Sequence, residues 1–266
     1  MKPLIFFVAA SYAFAVFGQF KAVIFDCDGV LVDNGNAYFL DWQHAMRTQG
    51  FELMPVEFWE FMHRNDLVGY PNADPKILDF CCSLLGKDCR EALQREKDAF
   101  SKALHDRGFP PIDATVAFVK KLSEQKTLHH CKLAVASASG KERILSNLRR
   151  FGIEECFDLV VSGQDDLKHV SDPEGVNKPK PYIYEYAAMR LSAKPSECVV
   201  IEDSKTGVRA AVSAGCFTIA IPTEATCKQD LSLAQVQMES LAELDPRDFF
   251  IFLEEKRSAV RSVAAP

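Results

Sequence analysis

No block of lysines and arginines runs along the 266 residues, and the net charge is −6, so a nucleic-acid backbone is excluded as a partner. An acidic total still allows an anionic small ligand, because a few local cations and backbone N–H groups can hold a phosphate. No Cys-x-x-Cys pair occurs among the nine cysteines. Their number is odd and most sit beside apolar residues, so they read as small buried hydrophobes in a reducing compartment, not as a disulfide framework. His129-His130-Cys131 offers three ligand types in succession, too close along the chain to converge unaided on one ion, and reads as a loop leading into a strand. Internal repeats and low-complexity tracts are also missing. With 48% hydrophobic and 26% charged residues, the chain is neither disordered nor collagenous, nor a bundle of membrane spans.

One apolar stretch pulls the other way. Met1-Lys2 precedes a run from Leu4 to Gly18 broken only by Ser11, and Ala13-Phe14-Ala15 and Val16-Phe17-Gly18 resemble small-residue cleavage sites. That is the layout of a secretory signal over residues 1–18. It is short for a membrane span, which needs roughly 20 apolar residues. The leader points to export and the cysteines to the cytoplasm; the cysteines carry more weight, and no membrane contact is expected of the residues beyond the leader.

Five short, nearly continuous apolar runs punctuate the chain: 22–25, 133–136, 159–161, 199–201 and 217–221. Such runs suit strands buried on both faces. Helical patterns separate the last four. The first of these, Lys141 to Phe151, stops at Gly152; the second, Pro181 to Leu191, opens on proline; the third, Lys205 to Ala214, stops at Gly215. Alternating strands and helices predict a parallel sheet with right-handed crossovers, an α/β fold with a Rossmann-like core. From about Gly35 to Asp106 the pattern is helical only, with candidates at 37–49, 56–63, 76–85 and 91–105. Roughly 70 residues exceeds any ordinary βα crossover, so an α-helical cap domain, residues 35–106, is expected inside a core made of residues 19–34 and 107–266. A last helix is expected from Asp245-Pro246 to about Arg261.

In an open parallel sheet, ligands bind beyond the carboxyl ends of the strands. The first strand runs into Asp26-Cys27-Asp28-Gly29, the second into Ser137-Ala138-Ser139-Gly140, and the fourth into Glu202-Asp203-Ser204; Lys178 lies in the loop Asn177-Lys178-Pro179-Lys180-Pro181. Carboxylates, a hydroxyl, an ammonium and glycine-bearing backbone thus gather at one edge. A carboxylate that attacks a phosphoryl group needs a cation bound to both. Asp26 and Asp203 offer hard oxygen ligands suited to Mg²⁺. Ser137 can donate to one phosphoryl oxygen and Lys178 can neutralise another. Asp28 can protonate the departing oxygen and later deprotonate the attacking water. Gly29 lets the backbone pass close to a phosphate.

Taken with the stretches Phe25–Asp33, Lys178–Pro181 and Ile201–Gly207, this set resembles the haloacid dehalogenase superfamily phosphatases. The resemblance is to the branch that contains β-phosphoglucomutase and small sugar-phosphate phosphatases, and it covers about Phe20 to Thr223 with the helical insertion. It implies Asp26 as nucleophile and Asp28 as acid/base. It also implies Mg²⁺ held by Asp26, the Asp28 backbone carbonyl and Asp203; Ser137, Ala138 and Lys178 on the phosphoryl group; and Glu202 near the metal. Dehalogenases lack the second aspartate, so Asp28 argues against their chemistry.

In the mutase resemblance, a histidine on the first cap helix falls at Tyr38, and a lysine and an arginine fall at Val68 and Asn72 beside Gly69. With those cations absent, Ser139 and Lys141 remain as the candidates to grip a second phosphate. The expectation is therefore a Mg²⁺-dependent phosphatase that hydrolyses a small phosphorylated metabolite through an aspartyl-phosphate. The alternatives are a β-phosphoglucomutase-like phosphomutase and, from another class, an exported phosphate-binding protein without turnover. Trp42 and its aromatic neighbours are expected to pack the cap.

Overall fold

The computed structural model describes residues 20–65, 67 and 74–264; the leader expected at residues 1–18 lies outside them. The chain divides into two compact units, one of residues up to Leu31, Pro111–Pro222 and Asp230 onward, the other of Val32–Pro110 with Thr223–Gln229. These divisions fall a few residues outside the boundaries expected at 34/35 and 106/107, and residues 223–229 group with the helices.

The first unit is built on a parallel sheet of β1 (Ala22–Phe25), β2 (Lys132–Ser137), β3 (Leu159–Ser162), β4 (Cys198–Glu202), β5 (Phe217–Ala220) and β6 (Val236–Gln237). The strand order is β3-β2-β1-β4-β5-β6. Every residue of β1, β4 and β5 is buried, which is why these segments read as unbroken apolar runs and not as alternation. Phe25 lies level with Val135 on one side and Ile201 on the other, and the Asp26 N–H continues the ladder by donating to the Ile201 carbonyl at 3.0 Å. This register makes the residues just past β1, β2 and β4 emerge side by side.

Helices α5 (Asp113–Gln125), α6 (Lys141–Phe151), α7 (Tyr182–Arg190), α8 (Lys205–Ala214) and α9 (Phe249–Ala264) accompany the sheet. Ala187 and Ala188 of α7 and Ala210 and Ala211 of α8 pack with Ile24, Ala136 and Val200 in one buried cluster, the small side chains letting helix approach sheet closely. Ser204 caps α8 by accepting from the Gly207 N–H at 3.2 Å, and Gly215 ends it at φ +87°, a left-handed value that costs other residues. Elsewhere Phe118 of α5 meets Phe249 of α9 edge to face at 5.1 Å.

Two elements stand outside the sequence expectations: α5, although Val116, Val119 and Leu122 have helical spacing, and the two-residue β6. The last helix also starts later than expected. The Asp248 N–H donates to the Asp245 carbonyl and the Arg247 N–H to the Asp245 carboxylate, so Asp245-Pro246 makes a turn and α9 begins at Phe249.

The second unit holds α1 (Ala37–Thr48), α2 (Pro55–Arg64), α3 (Asp74–Leu85) and α4 (Arg90–Arg107). Trp42, Met46, Phe58, Ile77 and Leu93 are wholly buried in its core, so Trp42 packs this unit. Tyr38 donates to Asp74, which also pairs with Lys97. All nine cysteines are unpaired and six of them are buried, as expected of small apolar residues. No helix among the described residues is long and apolar enough to cross a membrane.

Candidate active site

Three strand-end segments of the first unit converge with the loop that carries Lys178. Lys178 is the hinge of the arrangement: its ammonium donates to Asp26 Oδ1 at 2.7 Å, to Glu202 Oε1 at 2.7 Å and to the Ala136 carbonyl at 3.3 Å. Asp26 and Asp203 are each 7% exposed and Glu202 is fully buried. Oxygens of Asp26, Glu202 and Asp203 lie within 4.8 Å of one another. Three carboxylates thus share a dry space with one ammonium.

The electrostatics follow from that imbalance. Burial pushes the Asp26 carboxyl up to about 7, against the pull of Lys178 and with a further push from Glu202. Asp203 is raised well above the usual carboxylate range, by burial first and then by Glu202 and Asp26. Lys178 is raised although burial opposes it, because Asp26 and Glu202 flank it; it stays cationic. Excess negative charge in low dielectric is what a divalent cation relieves, and hard, crowded carboxylate oxygens are the donors that Mg²⁺ takes. The residues fit such an ion.

Two glycines permit the crowding. Gly29 sits at φ +81°, and a Cβ there would fall 2.3 Å from Asp203 Oδ2, so the loop carrying Asp26 and Asp28 lies directly against Asp203. A Cβ on Gly207 would fall 1.9 Å from the Glu202 carboxylate.

Glu202 is the most fully held of the acids. Oε1 accepts from Lys178 and from the Tyr184 hydroxyl, the latter at 2.5 Å. Oε2 accepts from the Asp203 N–H, the Ser204 N–H and the Ser204 hydroxyl at 3.1–3.4 Å. With Glu202 so engaged, Asp26 and Asp203 are the acids better placed to give oxygens to a metal.

Asp28 sits against the two serines that follow the apolar run of β2. Its Oδ2 accepts from Ser139 Oγ at 2.7 Å and from Ser137 Oγ at 3.4 Å, while Arg143 Nη2 lies 3.5 Å from Oδ1. The Ser139 N–H donates to Ser137 Oγ at 3.1 Å, while the Ser137 hydroxyl itself donates to Asp28. Ala138 lies exposed in the bend between the two serines. The structure thus brings together Asp26, Asp28, Ser137, Ser139, Lys178, Glu202 and Asp203.

Lys141 is placed differently. Its ammonium is bound by both oxygens of Asp166 at 2.9 and 3.0 Å, and the cation that reaches Asp28 is Arg143, one helical face away. Arg143 and Tyr184 are the two residues of this group that motif reasoning did not select. The only signals for them are a second cation in the first turn after the Ser137 loop and a hydroxyl-bearing aromatic in the helix after Lys178. Val68, Gly69 and Asn72 lie outside the described residues.

The chain is similar in sequence and fold to known proteins. The family profile of haloacid dehalogenase-like hydrolases matches residues 23–221. A phosphorylated carbohydrates phosphatase of Thermotoga maritima is 33% identical over 202 residues, 73% of this chain and 82% of that protein. A β-phosphoglucomutase of Bacillus subtilis is 28% identical over 206 residues, 76% of this chain and 83% of that one. A family hydrolase of Deinococcus radiodurans, solved with bound phosphate and sodium, superposes with a TM-score of 0.65 at 24% identity, covering 85% of this chain and 93% of that structure, a likeness of fold. The chain belongs to the haloacid dehalogenase-like hydrolases, in the branch of the phosphatases and β-phosphoglucomutases, and is an enzyme of the phosphoric monoester hydrolase type.

Proposed function

We propose that the enzyme is a Mg²⁺-dependent phosphatase that hydrolyses a small phosphorylated metabolite, a sugar phosphate or similar, through a phosphate ester on Asp26. The observation that carries this is the placement of Lys178, which bridges Asp26 and Glu202 beside Asp203: a buried cation and a metal-suited acid pair flank one carboxylate oxygen.

An Asp26 oxygen attacks phosphorus, and the bond from phosphorus to the ester oxygen breaks. Asp28 gives its proton to that leaving oxygen. A water then attacks the phosphorus of the aspartyl-phosphate, Asp28 takes the water's proton, and Asp26 leaves as carboxylate. Lys178 holds one phosphoryl oxygen by charge, and Ser137 with the backbone at Ala138 holds others. Asp26, the Asp28 carbonyl and Asp203 would hold Mg²⁺, which would supply positive charge between an anionic nucleophile and an anionic phosphoryl group. Glu202 orders Lys178, and residues 35–106 serve as the cap domain.

Hydrolysis is favoured over phosphate migration because Lys141, the cation expected to grip a second phosphate, is held by both oxygens of Asp166. A panel of sugar and nucleotide monophosphates, assayed with Mg²⁺ and again after chelation, tests the reading. At least one ester is expected to turn over, with chelation removing about 99% of the rate, as expected where a metal supplies several kcal/mol of charge stabilisation, and added Mg²⁺ restoring it. Activity that survives chelation defeats the proposal, and a need for a hexose bisphosphate activator transfers it to the mutase.

Asp28→Asn separates the two carboxylates. The variant keeps Mg²⁺ affinity within about threefold, because the backbone oxygen is the ligand, while kcat falls by roughly 10²–10⁴, the usual share of acid–base catalysis. Calorimetry showing lost Mg²⁺ binding overturns the assignment of Asp28.

A further inference from the structure

Tyr184 is wholly buried and takes no part in the bond-making and bond-breaking at phosphorus. A buried tyrosine hydroxyl must find a partner, and this one donates to Glu202 Oε1 at 2.5 Å, the same oxygen that accepts from Lys178 Nζ. The Lys178 ammonium also lies 5.0 Å from the centroid of the Tyr184 ring, within cation–π range. One residue therefore touches both members of the Glu202–Lys178 pair.

We propose that Tyr184 is a positioning residue for phosphate recognition: its hydroxyl fixes Glu202 Oε1, and that oxygen together with the ring face fixes the Lys178 ammonium. The inference rests on the reading of Lys178 as a phosphoryl ligand. Lysine is a point charge on a flexible stem, so its position is set by its acceptors. Here three compete for it: Asp26 Oδ1, Glu202 Oε1 and the Ala136 carbonyl. Glu202 Oε2 is already pinned by Asp203 and Ser204. The Tyr184 hydroxyl supplies the second donor to Oε1 and completes the restraint. Without it, a buried carboxylate oxygen depends on Lys178 alone and draws the ammonium away from Asp26 and from an arriving phosphoryl group.

Tyr184→Phe keeps the ring and removes only the hydroxyl. Binding of inorganic phosphate to the Mg²⁺-loaded protein is measured by calorimetry, beside kcat, KM and Tm. Phosphate affinity is expected to weaken and KM to rise by roughly tenfold, the loss of one hydrogen bond to a charged network. Tyr182→Phe is the control. It loses a 2.9 Å bond to Asp172 in the same helical turn and is expected to bind phosphate as the wild type does. A Tyr184→Phe protein with a lower Tm and unchanged phosphate affinity and KM makes the hydroxyl merely structural and overturns the inference. Lys178→Met distinguishes the two levels. If it is impaired while Tyr184→Phe is not, only this inference falls; if Lys178→Met binds phosphate and hydrolyses the ester normally, the reading of Lys178 falls with it.

Discussion

Asp26→Asn is expected to lower kcat on any hydrolysed ester by on the order of 10⁴-fold or more while raising the melting temperature of the metal-free protein. The amide has nearly the shape of the carboxylate but cannot attack phosphorus. The stability gain follows from the charge count. Asp26, Glu202 and Asp203 crowd within 4.8 Å in a space where burial already disfavours the ionised form of Asp26, and Lys178 alone offsets them there. Neutralising Asp26 removes a desolvated, repelled charge, and Lys178 keeps Glu202 as a close partner. A gain of roughly 2–6 °C in Tm is expected, the size of one modest stabilising change in a domain of this length. Such a trade of stability for activity is a mark of a reactive group and not of a packing one. An acid-quenched single turnover with labelled ester adds a direct readout: the label should remain on wild-type protein and be missing from the variant. Retained turnover in Asp26→Asn sinks the covalent route, and a lowered Tm sinks the electrostatic account of the site.

The location of the candidate site was legible because the strands are buried on both faces. Continuous apolar runs mark where β1, β2 and β4 end, and the polar residues after them are the ones that converge: Asp26 and Asp28, Ser137, Glu202 and Asp203. Level register, Phe25 against Val135 and Ile201, is what turns strand ends into neighbours, and no single-strand pattern encodes it. The partition of cations shows the same limit. Lys141 and Arg143 are two residues apart in the first turn of α6, and a rotation of about 200° between them decides which faces Asp28. The structure gives Lys141 to Asp166, itself fixed by the Ser162 N–H at 2.8 Å past β3, and gives Arg143 to Asp28. Tyr184 is hidden in the sequence for a related reason: an aromatic in an apolar helix reads as core, and only the neighbouring Glu202 reveals that its hydroxyl belongs to the site. The late start of α9 has a local cause, the Asp245 turn outcompeting the first helical bonds.

Gly207→Ala sets two physical effects against each other, and the larger should win clearly. Gly207 lies in the first turn of α8 with φ outside the left-handed range, so helix propensity alone makes alanine better by about 1 kcal/mol. The added Cβ, however, would lie 1.9 Å from Glu202 Cδ and Oε1 and 2.1 Å from Oε2. A side-chain terminus can often swing away at little cost, but this carboxylate is fully buried and accepts hydrogen bonds from Lys178, Tyr184, Asp203 and Ser204. Moving it breaks several of these bonds at once in a place water does not reach, and sliding α8 instead disturbs the alanine packing at Ala210 and Ala211. Each abandoned buried polar group costs about 1–3 kcal/mol, so a net loss of roughly 2–4 kcal/mol in denaturant unfolding is expected after the propensity gain is subtracted. Function suffers through geometry: Lys178 shifts with Glu202, and a displacement near 1 Å at a reacting centre costs about 100-fold in rate. The effect on turnover should exceed that of Tyr184→Phe, because the alanine evicts the carboxylate that the tyrosine only steadies. A Gly207→Ala enzyme as stable and as active as the wild type means that Glu202 has room to move, and the picture of a carboxylate locked between Lys178 and the start of α8 is then wrong.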